Sequence, residues 1–217
     1  MRYKAVLFDL DGTLLDTIED LANSMNAVLH GLDLPEHPIA DYKYFVGEGV
    51  EELVRRALPE DQRGEVLLRE GVAALRREYG KRWAEQTHPY AGIPALLDAL
   101  TARAVPMAIL SNKPHDFTQL IVSRLLPTWP FALVMGAQPS MPKKPDPTAA
   151  LQMAAQLALS PPEIIYLGDT GTDMMTASAA GMYSVGALWG FRTEAELRAT
   201  GAKTLLENPL DLLLLLD

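Results

Sequence analysis

From about residue 90 onward, short apolar runs alternate with helical patterns, and this alternation constrains the fold more than any other feature of the chain. The pattern predicts helices over 93–102, 115–126, 148–159, 173–180 and 194–200, and strands over 105–110, 132–135, 164–167 and 183–187. Strands joined through helices run parallel with right-handed crossovers, and such a sheet is covered on both faces. Ala5-Val6-Leu7-Phe8, close to the N-terminus, reads as a further buried strand of that sheet. The predicted fold is α/β, a doubly wound parallel sheet.

The stretch between the first strand and residue 90 reads differently. Asp16-Thr17-Ile18-Glu19 sets an oxygen-bearing residue three before a glutamate, a helix-start signature with Asp16 as the cap. The helix it predicts runs through Leu21, Met25 and Leu29 and stops near Gly31. Helical periodicity continues to about residue 86. Val50, Leu53, Val54 and Leu58 form one apolar face, Val66, Leu67, Val72 and Leu75 another, with Pro59, Gly64 and Gly80 as punctuation. No strand is predicted between about 15 and 85. An all-helical segment that interrupts a sheet after its first strand is an insertion. The expected domains are therefore an α/β core of residues 1–14 and 88–217 and a helical cap of residues 15–87.

Composition removes whole classes of function. The net charge of −9 disfavours nucleic acid and anionic membranes as partners, but not a small anionic substrate, because local charge decides binding. With no cysteine there are no disulfides, thiolate metal sites or thiol nucleophiles. Arg2 and Lys4 precede an apolar run that Asp9 and Asp11 interrupt, so a signal peptide is not expected. Leu212 to Leu216 is too short to span a bilayer and reads as the end of an amphipathic helix packed on the core. The expectation is a cytoplasmic protein, monomeric or a small homo-oligomer.

In an open parallel sheet the ligand site lies beyond the carboxyl ends of the strands. The residues there are Asp9 and Asp11, then Ser111-Asn112-Lys113, then Gly168-Asp169 with Asp173, and Lys143-Lys144-Pro145-Asp146-Pro147 comes from a loop. Each has a bland reading alone: a solvated turn, an N-cap, a surface lysine, a helix-start acid. Together they crowd carboxylates that need a counter-charge, which suits Mg²⁺ with oxygen ligands and a lysine beside a phosphoryl group. One chemistry uses them all. A carboxylate attacks phosphorus, and a second carboxylate moves protons to the leaving group and from water.

Asp9-Leu10-Asp11-Gly12-Thr13, Ser111-Asn112-Lys113, Lys144-Pro145 and Gly168-Asp169 with Asp173 resemble, in order, the four motifs of the haloacid dehalogenase superfamily. The helical insertion resembles its α-helical cap, and Gly47-Glu48-Gly49 and Trp189-Gly190-Phe191-Arg192 resemble its phosphoglycolate phosphatase branch. The resemblance implies Asp9 as nucleophile, Asp11 as general acid/base, Ser111 as the hydroxyl on the phosphoryl group with Asn112 assisting, and Lys144 as the neutralising lysine. It implies Mg²⁺ held by Asp9, Asp169, the Asp11 main-chain carbonyl and Asp173. Gly12 and Thr13 are expected beside the substrate, with Lys43, Glu48 and Arg55 the candidate cap contacts. His88 and His115 read as surface or capping residues, and Trp83, Trp129 and Trp189 as packing. Dehalogenases of the superfamily lack the second aspartate, so Asp11 implies phosphoryl transfer. The resulting expectation is a Mg²⁺-dependent phosphatase acting through an aspartyl-phosphate on a small phosphorylated metabolite, 2-phosphoglycolate first. A phosphosugar mutase, a pyrophosphatase of the same superfamily and a signalling receiver domain are the alternatives.

Overall fold

The computed structural model describes residues 3–216. Its centre is β1 (Ala5–Phe8), and the alternation of side chains along this strand organises the interior. Val6 and Phe8 face one hydrophobic cluster, Ala5 and Leu7 a second. Burial on both faces makes the strand read as a continuous apolar run rather than an alternating one.

Five further strands complete a parallel sheet. β2 (Leu15–Asp16) and β3 (His88–Pro89) lie outside it; the members are β4 (Met107–Pro114), β5 (Phe131–Ala137), β6 (Ile164–Gly168), β7 (Tyr183–Ala187) and β8 (Thr204–Leu206), in the order β5-β4-β1-β6-β7-β8. The chain winds outward from β1 to β4 and β5, then returns across β1 to β6. The strand order thus reverses beside β1, and the crevice over its carboxyl end is where such sheets bind ligands. α7 (Thr148–Gln156) and α8 (Gly171–Ala180) cover one face mostly with small residues, Ala149, Ala150, Ala154 and Ala177. α1 (Ile18–Gly31) and α5 (Ile93–Ala102) share the other face's cluster, which runs on without a break into α2 (Ile39–Phe45), α3 (Val50–Ala57) and α4 (Glu65–Arg82). α6 (His115–Leu125) and α9 (Glu194–Ala199) complete the helices.

Several local expectations need correction. β2 and β3 pair antiparallel where the insertion leaves and rejoins the sheet, so there is a strand at Leu15–Asp16; two residues carry no period to read. Asp20, buried on α1, reinforces this junction by accepting from the Gln86 and Thr87 N–H groups and the Thr87 hydroxyl. β4 starts at Met107 because Pro106 has no N–H and joins the ladder only by accepting from Val6 N–H. Thr17, not Asp16, is the N-cap position of α1, although Asp16 Oδ1 accepts from Ile18 N–H at 3.3 Å. Gly80 stays inside α4, and Val66 is exposed instead of sharing an apolar face with Leu75. β8 was not predicted. The leucine tail is a 3₁₀ helix, Pro209–Leu215, whose three-residue period buries Pro209 and Leu212 and exposes Leu214. Among the described residues no helix is long and apolar enough to cross a membrane.

Candidate active site

β1 delivers Asp9 to the crevice, and the chain then turns tightly: the Thr13, Leu14 and Leu15 N–H groups all reach the Leu10 carbonyl. Gly12 makes the turn at φ +86°, and a Cβ there would lie 2.3 Å from Asp169 Oδ2. Only glycine tolerates both the left-handed backbone and that approach. The Thr13 hydroxyl, fully buried, donates to Asp169 Oδ1 at 2.8 Å. It therefore orients a carboxylate rather than facing the cavity.

Asp169 follows β6. Its second oxygen accepts from Phe191 N–H at 2.8 Å, within the stretch Trp189-Gly190-Phe191-Arg192. Trp189 Nε1 donates to the Thr13 carbonyl, and Arg192 reaches from the same loop to the carbonyls of Lys43 and Val46. One short segment thus braces two acidic loops and the end of α2. Asp173 closes a capping box at the start of α8, where its Oδ2 accepts from the Thr170 N–H and hydroxyl. Its Oδ1 accepts from Lys144 Nζ at 2.6 Å.

Lys144 is the buried cation of this group, 2.9 Å from Asp9 Oδ1. Burial opposes its charge, but Asp173 and then Asp9 outweigh burial and raise its pKa well above the usual lysine value. Asn112 fixes its backbone from both sides: the Asn112 Oδ1 accepts from the Lys144 N–H at 2.9 Å, and the Asn112 Nδ2 donates to the Lys144 carbonyl. Nδ2 also donates to the Gly47 carbonyl, so Asn112 joins three separate segments.

One carboxylate oxygen from each of Asp9, Asp169 and Asp173 lies within 4.8 Å of the other two, and all three residues are buried. Burial first, then Asp173, pushes the Asp9 pKa up from 3.8 to about 7 despite Lys144. Asp169 is raised well above the ordinary carboxylate range by burial, then by Asp9 and Asp173. Among the described residues, the buried Asp9 Oδ1 has the Lys144 ion pair but no hydrogen bond of good geometry. Three crowded carboxylates share a single ammonium, which leaves two formal negative charges without an answer. A hard divalent cation with oxygen ligands fits this donor set.

Asp11 stands apart from that trio. Both its oxygens are 3.0 Å from Lys113 Nζ, itself buried. Burial opposes the Lys113 charge, but Asp11 and then Tyr79 raise its pKa above the ordinary lysine value. Ser111, Asn112 and Lys113 lie within β4, which continues to Pro114, instead of capping α6. Asp9, Asp11 and Ser111 floor a cleft whose opposite wall is formed by residues of α1, α3 and α4.

The structure does not bring Glu48 and Arg55 to this cleft. The Glu48 carboxylate bonds Arg56, and Arg55 pairs with Glu52 along α3, while their neighbours Gly47, Gly49 and Val50 line the wall. Lys43 does not line the cleft, and its carbonyl accepts from Arg192. Three polar side chains that line the cleft were not assigned a role from sequence: Lys113, Arg76 and Tyr79. For Lys113 the signal was available, as a lysine continuing an apolar strand beside Ser111-Asn112. Arg76 and Tyr79 sit in a run of arginines and glutamates that reads as a solvated helix face.

The model of haloacid dehalogenase-like hydrolases matches residues 6–187, and the chain belongs to that family. Within it, the chain stands on the phosphoglycolate phosphatase-like branch. It is 35% identical to a phosphoglycolate phosphatase of Nitrosospira multiformis over 83% of this chain and 81% of the relative. It is 31% identical to one of Aquifex aeolicus over 99% and 97%. A haloacid dehalogenase-like family hydrolase from Streptococcus pneumoniae superposes with a TM-score of 0.89 at 25% identity, covering 100% of this chain and 99% of that one.

Proposed function

We propose that this enzyme hydrolyses a small phosphomonoester, 2-phosphoglycolate, in a Mg²⁺-dependent reaction through a phosphoaspartate on Asp9. The observation that carries the reading is Asp9: a buried carboxylate on the floor of a cleft, whose one charged partner is the Lys144 ammonium 2.9 Å from Oδ1. Such a carboxylate is free to act as a nucleophile. Its attack forms an Asp9 oxygen–phosphorus bond as the bond to the leaving oxygen breaks. Lys144 and the Ser111 hydroxyl stabilise the charge on the transferring phosphoryl oxygens. Asp11 gives a proton to the leaving oxygen and then takes one from the water that cleaves the acyl phosphate. Both its oxygens are held by Lys113, so proton donation requires that ion pair to open.

Asp9, Asp169 and Asp173 would hold Mg²⁺, which when bound adds positive charge beside the phosphoryl oxygens. Thr13 and the Phe191 N–H aim Asp169, Thr170 aims Asp173, and Asn112 holds Lys144 in place. The Gly12 turn brings this set together. The helices within residues 15–87 serve as a cap domain over a core of 1–14 and 88–217, and exclude water from the cleft. The relatives named phosphoglycolate phosphatase support the choice of substrate.

A phosphate-release screen over 2-phosphoglycolate, pyrophosphate and a hexose 1-phosphate tests the reading. Release from 2-phosphoglycolate should stop with a chelator and return with Mg²⁺. Conversion of the hexose 1-phosphate to its 6-phosphate without free phosphate would replace the hydrolase by a mutase.

A further inference from the structure

The polar side chains that line the cleft fall into two groups. Asp9, Asp11, Ser111, Asn112 and Lys113 come from the strand ends and form the floor. Across from them the helices present an apolar wall of Leu21, Val46, Val50, Leu53 and Leu75, broken only by Arg76 and Tyr79. These two are three residues apart on α4, on one face of the helix.

Tyr79 is 3% exposed, and its buried hydroxyl lies beside the Lys113 ammonium, which can only donate, so its proton has no acceptor among the described residues. Its ring is well placed, with its centroid 5.2 Å from that of Phe117 and 4.5 Å from the Lys113 ammonium. A buried hydroxyl left unpaired is costly, and most are satisfied in native proteins. A ligand oxygen would satisfy this one. Arg76 adds charge beside it. Its guanidinium lies 5.4 Å from the Phe117 centroid and bonds the Asp116 carboxylate. Both side chains of that ion pair are well exposed, at 41% and 62%, so the pair stabilises little and a ligand anion can replace Asp116. The cleft's other cation, Lys113, already answers both oxygens of Asp11.

We propose that Arg76 and Tyr79 are the specificity-determining pair of this cleft, the subsite that takes a carboxylate on the leaving group. This rests on the phosphomonoesterase reading above. One guanidinium and one hydroxyl balance a single negative charge, and the guanidinium fork matches the two oxygens of a carboxylate; a second phosphate would bring more charge than this wall answers. The apolar remainder of the wall has no partners for the hydroxyls of a sugar, which would be desolvated unpaired.

The test compares two esters with the full-length enzyme and Mg²⁺: 2-phosphoglycolate, and ethyl phosphate, which has a methyl group in place of the carboxylate. The wild type should prefer 2-phosphoglycolate in kcat/KM. Arg76→Ala and Tyr79→Phe should each reduce that preference by roughly 10–100-fold, the worth of one lost charge-assisted or buried hydrogen bond. Arg76→Lys should recover part of it. Tyr79→Phe keeps the ring and its packing, so it reads the hydroxyl even where an Arg76 variant folds poorly. An unchanged ratio in both variants, or no preference in the wild type, overturns the subsite while leaving the phosphomonoesterase intact. Phosphate release from neither ester overturns that reading, and the subsite with it.

Discussion

The floor and the wall of the cleft handle charge in opposite ways. At the floor and beneath it, Asp9, Asp169, Asp173 and Lys144 are each at most 5% exposed and are held by donors from Thr13, Thr170, Phe191 and one another. On the helical side, Glu48–Arg56, Glu52–Arg55 and Arg76–Asp116 are pairs with one foot in water. Coulomb forces in a low-dielectric interior are several times stronger than at the surface, so the buried set is rigid and its pKa values move. The surface pairs are screened and exchangeable. The difference places fixed, pre-aligned charge where chemistry is proposed, and soft, replaceable charge where a leaving group would be recognised.

The largest effect that would break this contrast concerns Asp9. Asp9→Asn should lower phosphate release by at least about 10⁴-fold, as loss of a covalent nucleophile does, while circular dichroism shows the fold retained. Substantial turnover by the purified variant would remove Asp9 from the nucleophile's role.

Next come two adjacent lysines on the two sides of the contrast. Lys144→Met leaves Asp9 and Asp173 buried without their cation and should cost about 3–5 kcal/mol in urea unfolding of the metal-free protein. Lys143 is half-exposed and bonds Glu51 on α3, so Lys143→Met should cost less than about 1 kcal/mol. Equal losses would mean that burial does not set the strength of these pairs.

A metal and pH experiment sharpens the same point. Asp9 is raised to about 7 in the folded chain from 3.8, so between those values the folded protein binds more protons than the unfolded. Stability of the chelated protein should therefore fall as pH rises through this window, and Asp169, also raised, adds the same sign. A divalent cation takes the ionised carboxylates, so Mg²⁺ should raise the melting temperature clearly at pH 8 and little at pH 5. A shift independent of pH would count against the acidic trio as its site.

The smallest effects belong to the outer helices. Glu48→Ala and Arg55→Ala should each change kcat/KM by less than about threefold, because both side chains pair along α3 away from the cleft. A tenfold loss in either would show that the wall rearranges on binding.

Which groups were readable from sequence follows from the same physics. Asp9, Asp11, Ser111, Lys144, Asp169 and Asp173 stand at the ends of apolar strands or beside a helix start, so the strand pattern located them. β2 and β3 were not readable because two-residue strands have no period and their partners are over 70 residues apart. β8 follows α9 with too few apolar residues to mark it. Arg76 and Tyr79 were hidden because a helix shows its spacing in the sequence but not which residue faces a distant cleft.

The sequence by itself determined the doubly wound sheet, the helical insertion after its first strand, and the convergence of carboxylates, a hydroxyl and lysines at one sheet edge. Hydrophobic periodicity and strand-crossover handedness are local or topological rules, and they sufficed for this. Only the tertiary structure decided how the charges are paired: Lys144 with Asp9 and Asp173, Lys113 with Asp11, Thr13 turned to Asp169, and a tyrosine hydroxyl set beside Lys113 with no acceptor among the described residues. Those pairings are set by contacts between residues far apart in the chain, where burial and distance, not spacing, fix which charge answers which.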